Sequence, residues 1–293
     1  MLHKLRPAEY GRIRPLYAGW RLNLRLNSLL SGYNRGQVYV DRVVNPQTAV
    51  AWIDDLFYLV GDENNAAFQR SWPHWLEGVI VPQAKNEGLS YFAVQVYPLE
   101  PWREPVQALL QGYGVQVNQE LKFEFRPEAY AQVRDLPKLP AGFSLQRVDR
   151  HTLQDPSCQL LLDALRRRNA SIDAFLTRGT GVVLREGATL VSACVSAYVD
   201  RAHHELAVDT HDSQQRSRGF ATLTAKGCID QCLSQGLTPV WAADESDAGS
   251  LALARKLGFE QVGTYPDWYF PLSGWLLRLP LAVRGVRPPC DWA

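Results

Sequence analysis

No stretch of the chain approaches the roughly 18–20 consecutive apolar residues needed to span a bilayer, so a membrane span is not expected. The opening Met1-Leu2-His3-Lys4-Leu5-Arg6-Pro7 has no apolar run behind it. A secretory signal is therefore not expected, and the cytoplasm is the default compartment. An excess of either charge is missing as well. Lys and Arg number 31 against 30 Asp and Glu, for a formal net charge of +1. No bulk field argues for nucleic acid or an anionic membrane as partner. Cysteine is scarce, odd in number and scattered, at positions 158, 194, 228, 232 and 290. Such a set reads as reduced thiols, mostly in cores. Cys228 and Cys232 stand at i, i+4, a spacing that permits a shared metal, but no second Cys/His pair completes four ligands. His203 and His204 point to opposite faces of any strand, which breaks up a cluster with His211. No metal site is expected.

The chain does have the means to build cores. Hydrophobic residues make up 46% of its 293 positions, and the length suggests about two domains. The stretch from Arg126-Pro127 to Asp135-Leu136-Pro137-Lys138-Leu139-Pro140-Ala141-Gly142 is rich in proline. It cannot sustain a helix or a central strand and reads as an interdomain linker. The expected division is 1–126, a linker over 127–142, and 143–293.

In the second half, Phe143 to Val148 alternates like a strand, and Cys158 to Arg168 reads as a helix. Gly181 to Leu184 and Leu190 to Val199 form strands around a Glu186-Gly187 hairpin signal, followed by a strand from His204 to Val208. A helix from Phe220 closes at Gly236. Thr238 to Ala242 is a strand, Ser250 to Leu257 a helix, and Val262 to Phe270 a final strand. The pattern predicts a mixed α/β layer fold. The first half follows the same plan more loosely, with strands at 37–40, 48–53, 56–60, 90–97 and 115–125, and helical stretches at 66–84 and 103–110.

The segment Arg216-Ser217-Arg218-Gly219-Phe220-Ala221 separates the His204 strand from the following helix. A helix N-terminus leaves its first N–H groups unpaired and carries roughly half a positive charge. Gly219 lets the backbone approach an anion without a Cβ in the way, and Arg216 and Arg218 add positive charge. The turn is a candidate pyrophosphate cradle; the bland alternative is a solvated basic surface. In the first half, Gly61-Asp62-Glu63-Asn64-Asn65 stands before the long helix instead, and its two acids would repel a pyrophosphate.

Arg-x-x-Gly-x-Ala between strand and helix, followed by Ser250-Leu251-Ala252-Leu253-Ala254-Arg255-Lys256-Leu257-Gly258-Phe259, resembles the GNAT acetyltransferase superfamily. The first motif looks like its coenzyme A pyrophosphate loop, the second like the helix flanking the pantetheine arm. Asp247-Ala248-Gly249-Ser250, Pro239-Val240-Trp241, Val38-Tyr39-Val40-Asp41 and Pro46-Gln47-Thr48-Ala49 are similar to the branch containing the zwittermicin A resistance acetyltransferase. The resemblance implies tandem GNAT-like domains, the first degenerate and the second carrying the coenzyme A loop.

It also implies acetyl transfer from acetyl-CoA, as donor substrate, to a primary amine of a small molecule, by direct attack in a ternary complex. Coenzyme-binding residues carried over by the resemblance are Leu206, Ala207, Val208, Thr210, Arg216, Ser217, Arg218, Gly219, Phe220, Ala221, Thr222, Asp247, Ser250 and Leu253. Glu205 matches the position where several GNAT enzymes carry the general base, against a strand-edge glutamate as alternative; Asp209 is a second candidate, against a turn-forming aspartate. Many GNAT enzymes carry a tyrosine acid where this chain has Ala254, so that role is vacant or passes to another group such as Tyr265. Asp247 also reads as an N-cap, and Trp241 as a core residue. The alternative function is a non-catalytic module that binds acyl-CoA or a partner. Gly219→Glu is expected to remove coenzyme binding and leave the fold intact.

Overall fold

The computed structural model describes residues 1–20, 23–134, 136–210 and 215–272. Among these, the chain divides into two compact units. Residues 1–30, 36–119 and 265–272 form the first, and residues 31–35 and 120–264 the second. No helix among the described residues is long and apolar enough to cross a membrane.

The first unit begins with β1 (His3–Lys4), a 3-10 helix (Pro7–Tyr17) and α1 (Leu24–Leu30). Three strands follow, β2 (Gln37–Val40), β3 (Thr48–Ile53) and β4 (Leu56–Gly61). Next, α2 (Ala66–Trp75) passes through one π turn (Leu76–Ile80) into α3 (Val81–Asn86), as the prolines at 73 and 82 require some irregularity. Then come β5 (Tyr91–Tyr97) and α4 (Leu99–Leu109). The remaining elements are β6 (Gln116–Phe125), α5 (Pro127–Ala131), β7 (Phe143–Arg147), α6 (Arg150–Gln154), α7 (Gln159–Arg168), α8 (Ile172–Arg178), β8 (Gly181–Glu186) and β9 (Thr189–Val199). They continue with β10 (His203–Thr210), α9 (Phe220–Ser234), β11 (Thr238–Asp244), α10 (Ala248–Lys256) and β12 (Phe259–Pro271).

Each unit holds a mixed sheet, and the two strand plans match. In the first unit the order is β1-β2-β3-β4-β5-β12, with β4 and β5 parallel and every other pair antiparallel. In the second it is β7-β8-β9-β10-β11-β6, with β10 and β11 the parallel pair. Each parallel pair is joined through a helix, as a crossover requires. The last strand of each sheet comes from the other half of the chain. β6 enters the second unit at Glu120, and β12 enters the first at Tyr265. The fold is therefore α/β with mixed sheets in a duplicated plan.

The first core is dominated by aromatics, among them Trp72, Trp102, Trp268, Phe57 and Phe92, all fully buried. The second unit has apolar clusters on both faces of its sheet. Leu121, Phe123, Leu206, Trp241 and Ala243 pack with α9 and α10 on one face. Val183, Ala193 and Val195 pack under α7 and α8 on the other. Because side chains alternate along a strand, Glu205, Ala207 and Asp209 of β10 lie opposite α9. The register places Glu120, Lys122 and Glu124 of β6 and Ala242 and Asp244 of β11 on that same face.

The boundaries expected from composition do not coincide with the two units, since 127–142 lies inside the second. Proline excludes a central strand but not close packing. Tyr130 of α5 donates a 2.7 Å hydrogen bond to Asp230 of α9, and its ring sits 5.3 Å from that of Phe125. Pro137 abuts Gly219: a Cβ there would fall 2.8 Å from the proline ring.

Candidate functional site

The expected pyrophosphate turn has the geometry of an anion cradle. Ser217 (φ +61°) and Gly219 (φ +83°) are both left-handed, and α9 starts at Phe220 with Gly219 as its N-cap. Leu223 N–H donates to Gly219 O at 3.1 Å, closing the first turn. The amides of Phe220, Ala221 and Thr222 come before that bond, and among the described residues no side-chain cap serves them. The second unit caps helices elsewhere with Asp149, Ser171 and Asp247. Glycine is needed at 219 twice over, for its positive φ and for the approach of Pro137. The expectation that Gly219→Glu leaves the fold intact is therefore corrected: any side chain there strains the turn.

The loop is tied to the strand before it. Arg216 Nε donates to Thr210 O at 3.3 Å. Arg218 bonds Gln215 and lays its guanidinium 4.7 Å from the Phe220 ring centroid, a cation–π contact. Behind the loop runs a buried hydroxyl relay that pattern reading missed. Ser192 of β9 donates to Asp209 O at 2.7 Å and accepts from Thr210 Oγ1 at 3.2 Å. Thr224 of α9 lies 3.2 Å from Ser192 and bonds back to Phe220 O at 3.3 Å. Three hydroxyls thus connect β9, the end of β10 and the first turn of α9. Their only trace in the sequence is hydroxyl residues at core-facing positions of apolar elements.

Strand geometry opens a gap at the same end of the sheet. The parallel ladder of β10 and β11 covers only His203↔Thr238, His204↔Pro239 and Glu205↔Val240. On the other side of β10, Glu205↔Tyr198 is followed by Leu206↔Ser196, so Ala197 is an extra residue that forms a bulge in β9. Beyond it β10 runs on to Thr210, while β11 continues to Asp244 paired with β6. Leu206 is buried in the core under α9, and Ala207, Val208 and Asp209 are half-buried. Glu205 is 7% exposed and occupies the last paired position. Tyr265 is not on these elements. It belongs to the first unit, its ring 5.8 Å from that of Trp20.

On α10, Asp247 accepts from Ser250 N–H at 2.9 Å, the N-cap bond. Trp241 is buried in the core and donates its indole N–H to Ser250 Oγ at 3.0 Å. Leu253 packs against the same core, and Ala254 is fully buried within it. Cys194, Cys228 and Cys232 are core residues; Cys228 donates to Cys194 O at 2.9 Å. Cys290 and His211 lie outside the described residues.

The two histidines take opposite faces, as expected. His203 is bonded to the Asp200 carboxylate at 3.1 Å, whose hydrogen bond raises its pKa. His204 is buried 3.2 Å from Thr180 Oγ1, and loss of solvation pushes its pKa down to about 4. A depressed folded-state value favours the neutral ring, so its contribution is present above the unfolded pKa of about 6.5 and is lost as pH falls towards 4. The loss amounts to about 3 kcal/mol by linkage. Thermal unfolding between pH 6.5 and 4 is expected to fall more steeply for the wild type than for His204→Gln. Parallel curves would contradict this.

Residues 14–268 match the family model described as GNAT acetyltransferase. The chain belongs to the GNAT acetyltransferase family. It is 23% identical over 271 residues to an uncharacterised N-acetyltransferase, YdfB, of Bacillus subtilis, covering 92% of this chain and 98% of that protein. A GCN5-related N-acetyltransferase-like protein from Streptococcus suis superposes with a TM-score of 0.67 at 23% identity, over 90% of this chain and 98% of that one. A tandem GNAT protein from the clavulanic acid biosynthesis pathway gives a TM-score of 0.56 at 16% identity, over 93% of this chain and 99% of that one.

Within this GNAT chain the first unit lacks both features of the second. Its crossover helix α2 is capped: Asn65 Oδ1 accepts from Phe68 N–H at 3.1 Å, and Asn65 Nδ2 donates to Asp41 at 3.0 Å and to Thr48 at 3.1 Å. Its parallel pair stays zipped over five residue pairs, from Leu56↔Ala93 to Val60↔Tyr97. An asparagine side chain fills the place where an anion would sit, and the strands do not part.

Proposed function

We propose that the chain transfers the acetyl group of acetyl-CoA to a primary amine of a small molecule, by direct attack in a ternary complex. The observation that carries this reading is the glycine-opened, uncapped first turn of α9 directly after a strand that leaves its parallel neighbour. The amides of Phe220, Ala221 and Thr222 would hold the pyrophosphate, aided by the helix dipole, with Arg216, Ser217 and Arg218 at the rim. The backbone of Leu206, Ala207, Val208 and Thr210 would run beside the pantetheine arm, with Ser250 and Leu253 on its far side and Asp247 holding the start of α10.

The chemistry needs a neutral amine. Its nitrogen forms a bond to the thioester carbon, the C–S bond breaks, and the thiolate leaves. Negative charge on the carbonyl oxygen calls for N–H donors from the splayed part of β10. Glu205 would take the amine proton, directly or through a water, because it sits where the two strands separate. Asp209, two strand repeats further on the same face, is the second acceptor.

A second reading, a module that binds acyl-CoA without transfer, draws on Ala254, a fully buried methyl where many GNAT enzymes carry an acidic tyrosine. Incubation with acetyl-CoA and a panel of amines separates the two. Free thiol and acetylated amine, detected by absorbance and mass spectrometry, are expected. Coenzyme binding with no thiol release for any amine favours the binding module. No binding at all removes both.

A further inference from the structure

One buried carboxylate of the second unit has an oxygen with no partner. Asp244 ends β11 and is only 9% exposed. Its Oδ1 accepts from Ser246 N–H at 2.8 Å and from Ser246 Oγ–H at 2.6 Å, which shapes the turn into α10. Among the described residues its Oδ2 is buried and makes no hydrogen bond. A buried, unsatisfied carboxylate oxygen is destabilising, so the turn alone does not account for an aspartate here; an asparagine oxygen would accept the same two bonds.

The surroundings say what kind of group would satisfy it. Asp244 pairs with Glu120 across β6 and β11, and Lys122 pairs with Ala242 on the same face. The Lys122 ammonium is engaged by Glu120 at 2.8 Å, both side chains being buried. Glu205 shares this face one strand away, in register with Val240. Asp244 lies four residues beyond Val240, about 13 Å along the strand at roughly 3.3 Å per residue. The face therefore carries acidic groups at two places along its length, one at the point where the strands part and one at the far end of β11. An ammonium, with three donors and a full positive charge, fits an unpaired carboxylate oxygen.

We propose that Asp244 anchors one ammonium of a di- or polyamine acceptor whose other terminal nitrogen is the one acetylated. This rests on the acetyltransferase reading above and narrows its substrate class to elongated amines with at least two cationic centres. Asp244 is a specificity residue in this account. It touches the acceptor at the end that does not react.

The test pairs 1,8-diaminooctane with octylamine, matched in carbon chain and differing by one ammonium. Binding of each to the protein saturated with coenzyme A is measured by calorimetry, for the wild type and Asp244→Asn, and thiol release from acetyl-CoA is followed in parallel. The diamine is expected to bind at least about tenfold more tightly than the monoamine, a difference of about 1.4 kcal/mol. Asp244→Asn is expected to erase that advantage while acetyl-CoA affinity stays the same. Its thermal midpoint should hold or rise, because the amide keeps the Ser246 bonds and removes a buried charge. Equal binding of the two amines by the wild type overturns the proposal. So does an undiminished diamine preference in Asp244→Asn, or a lowered midpoint with no change in preference. If diamine binding depends on Asp244 but no thiol is released, the anchor stands and the transfer reading fails. If both amines bind alike and both release thiol, transfer stands and the anchor fails.

Discussion

Gly219→Ala is expected to weaken acetyl-CoA binding by at least about tenfold and to destabilise the protein by about 1–3 kcal/mol. Both effects come from one residue for separable reasons. The glycine holds φ at +83°, and a Cβ would fall 2.8 Å from Pro137. The turn must therefore shift, and the amides of Phe220, Ala221 and Thr222 shift with it. Calorimetry with acetyl-CoA and thermal unfolding read the two parts. Arg216→Ala is the companion, since it loosens the 3.3 Å tie to Thr210 O without straining the backbone. It is expected to reduce affinity with little change in midpoint. If Gly219→Ala loses stability but binds acetyl-CoA as the wild type does, the turn is structural only.

Glu205→Gln is expected to lower kcat by about 10²–10⁴, the range for loss of a positioned general base, while acetyl-CoA affinity is retained. The amide preserves the size of a side chain that is 7% exposed, so a collapsed fold is not the expected cause. Full activity in Glu205→Gln, with a loss in Asp209→Asn instead, would move the proton acceptor along β10.

Much of this architecture was legible in the chain because its elements are strongly patterned. The β-branched runs at 181–184 and 190–199 around Glu186-Gly187 gave a hairpin, and β8 and β9 form it with Gly187 at φ +56°. The Arg216 to Ala221 turn stood out only together with its neighbours, the strand before it and the Ser250 to Phe259 stretch after it, because a glycine before a helix is common by itself. The exchange of β6 and β12 between the units was not visible. Both strands have ordinary patterns, and which sheet receives a strand depends on pairing far along the chain. The short helices α6 and α8 lack enough turns to show a period, and neither was read from the sequence. The proline-rich 127–142 stretch misled for a simpler reason. Composition reports which backbone shapes are barred, not whether the segment is packed, and Tyr130 and Pro137 are packed.

The candidate site shows the same division. Loop and strand positions came from the resemblance of two motifs to the GNAT family, but the Ser192, Thr210 and Thr224 relay joins residues from three elements. Asp244 became notable only through an oxygen left without a partner. The degenerate character of the first unit was inferred from two acids before its helix. The structure supplies a more direct cause in Asn65, which caps α2, and in a parallel pair that never opens.

The central claim is that the coenzyme pyrophosphate sits on the first turn of α9. A crystal structure with coenzyme A bound tests it most directly. Pyrophosphate oxygens are expected within hydrogen-bonding distance of the amides of Phe220, Ala221 and Thr222, with the pantetheine arm entering between β10 and β11. Coenzyme bound at the start of α2 in the first unit, or away from both helices, would contradict it.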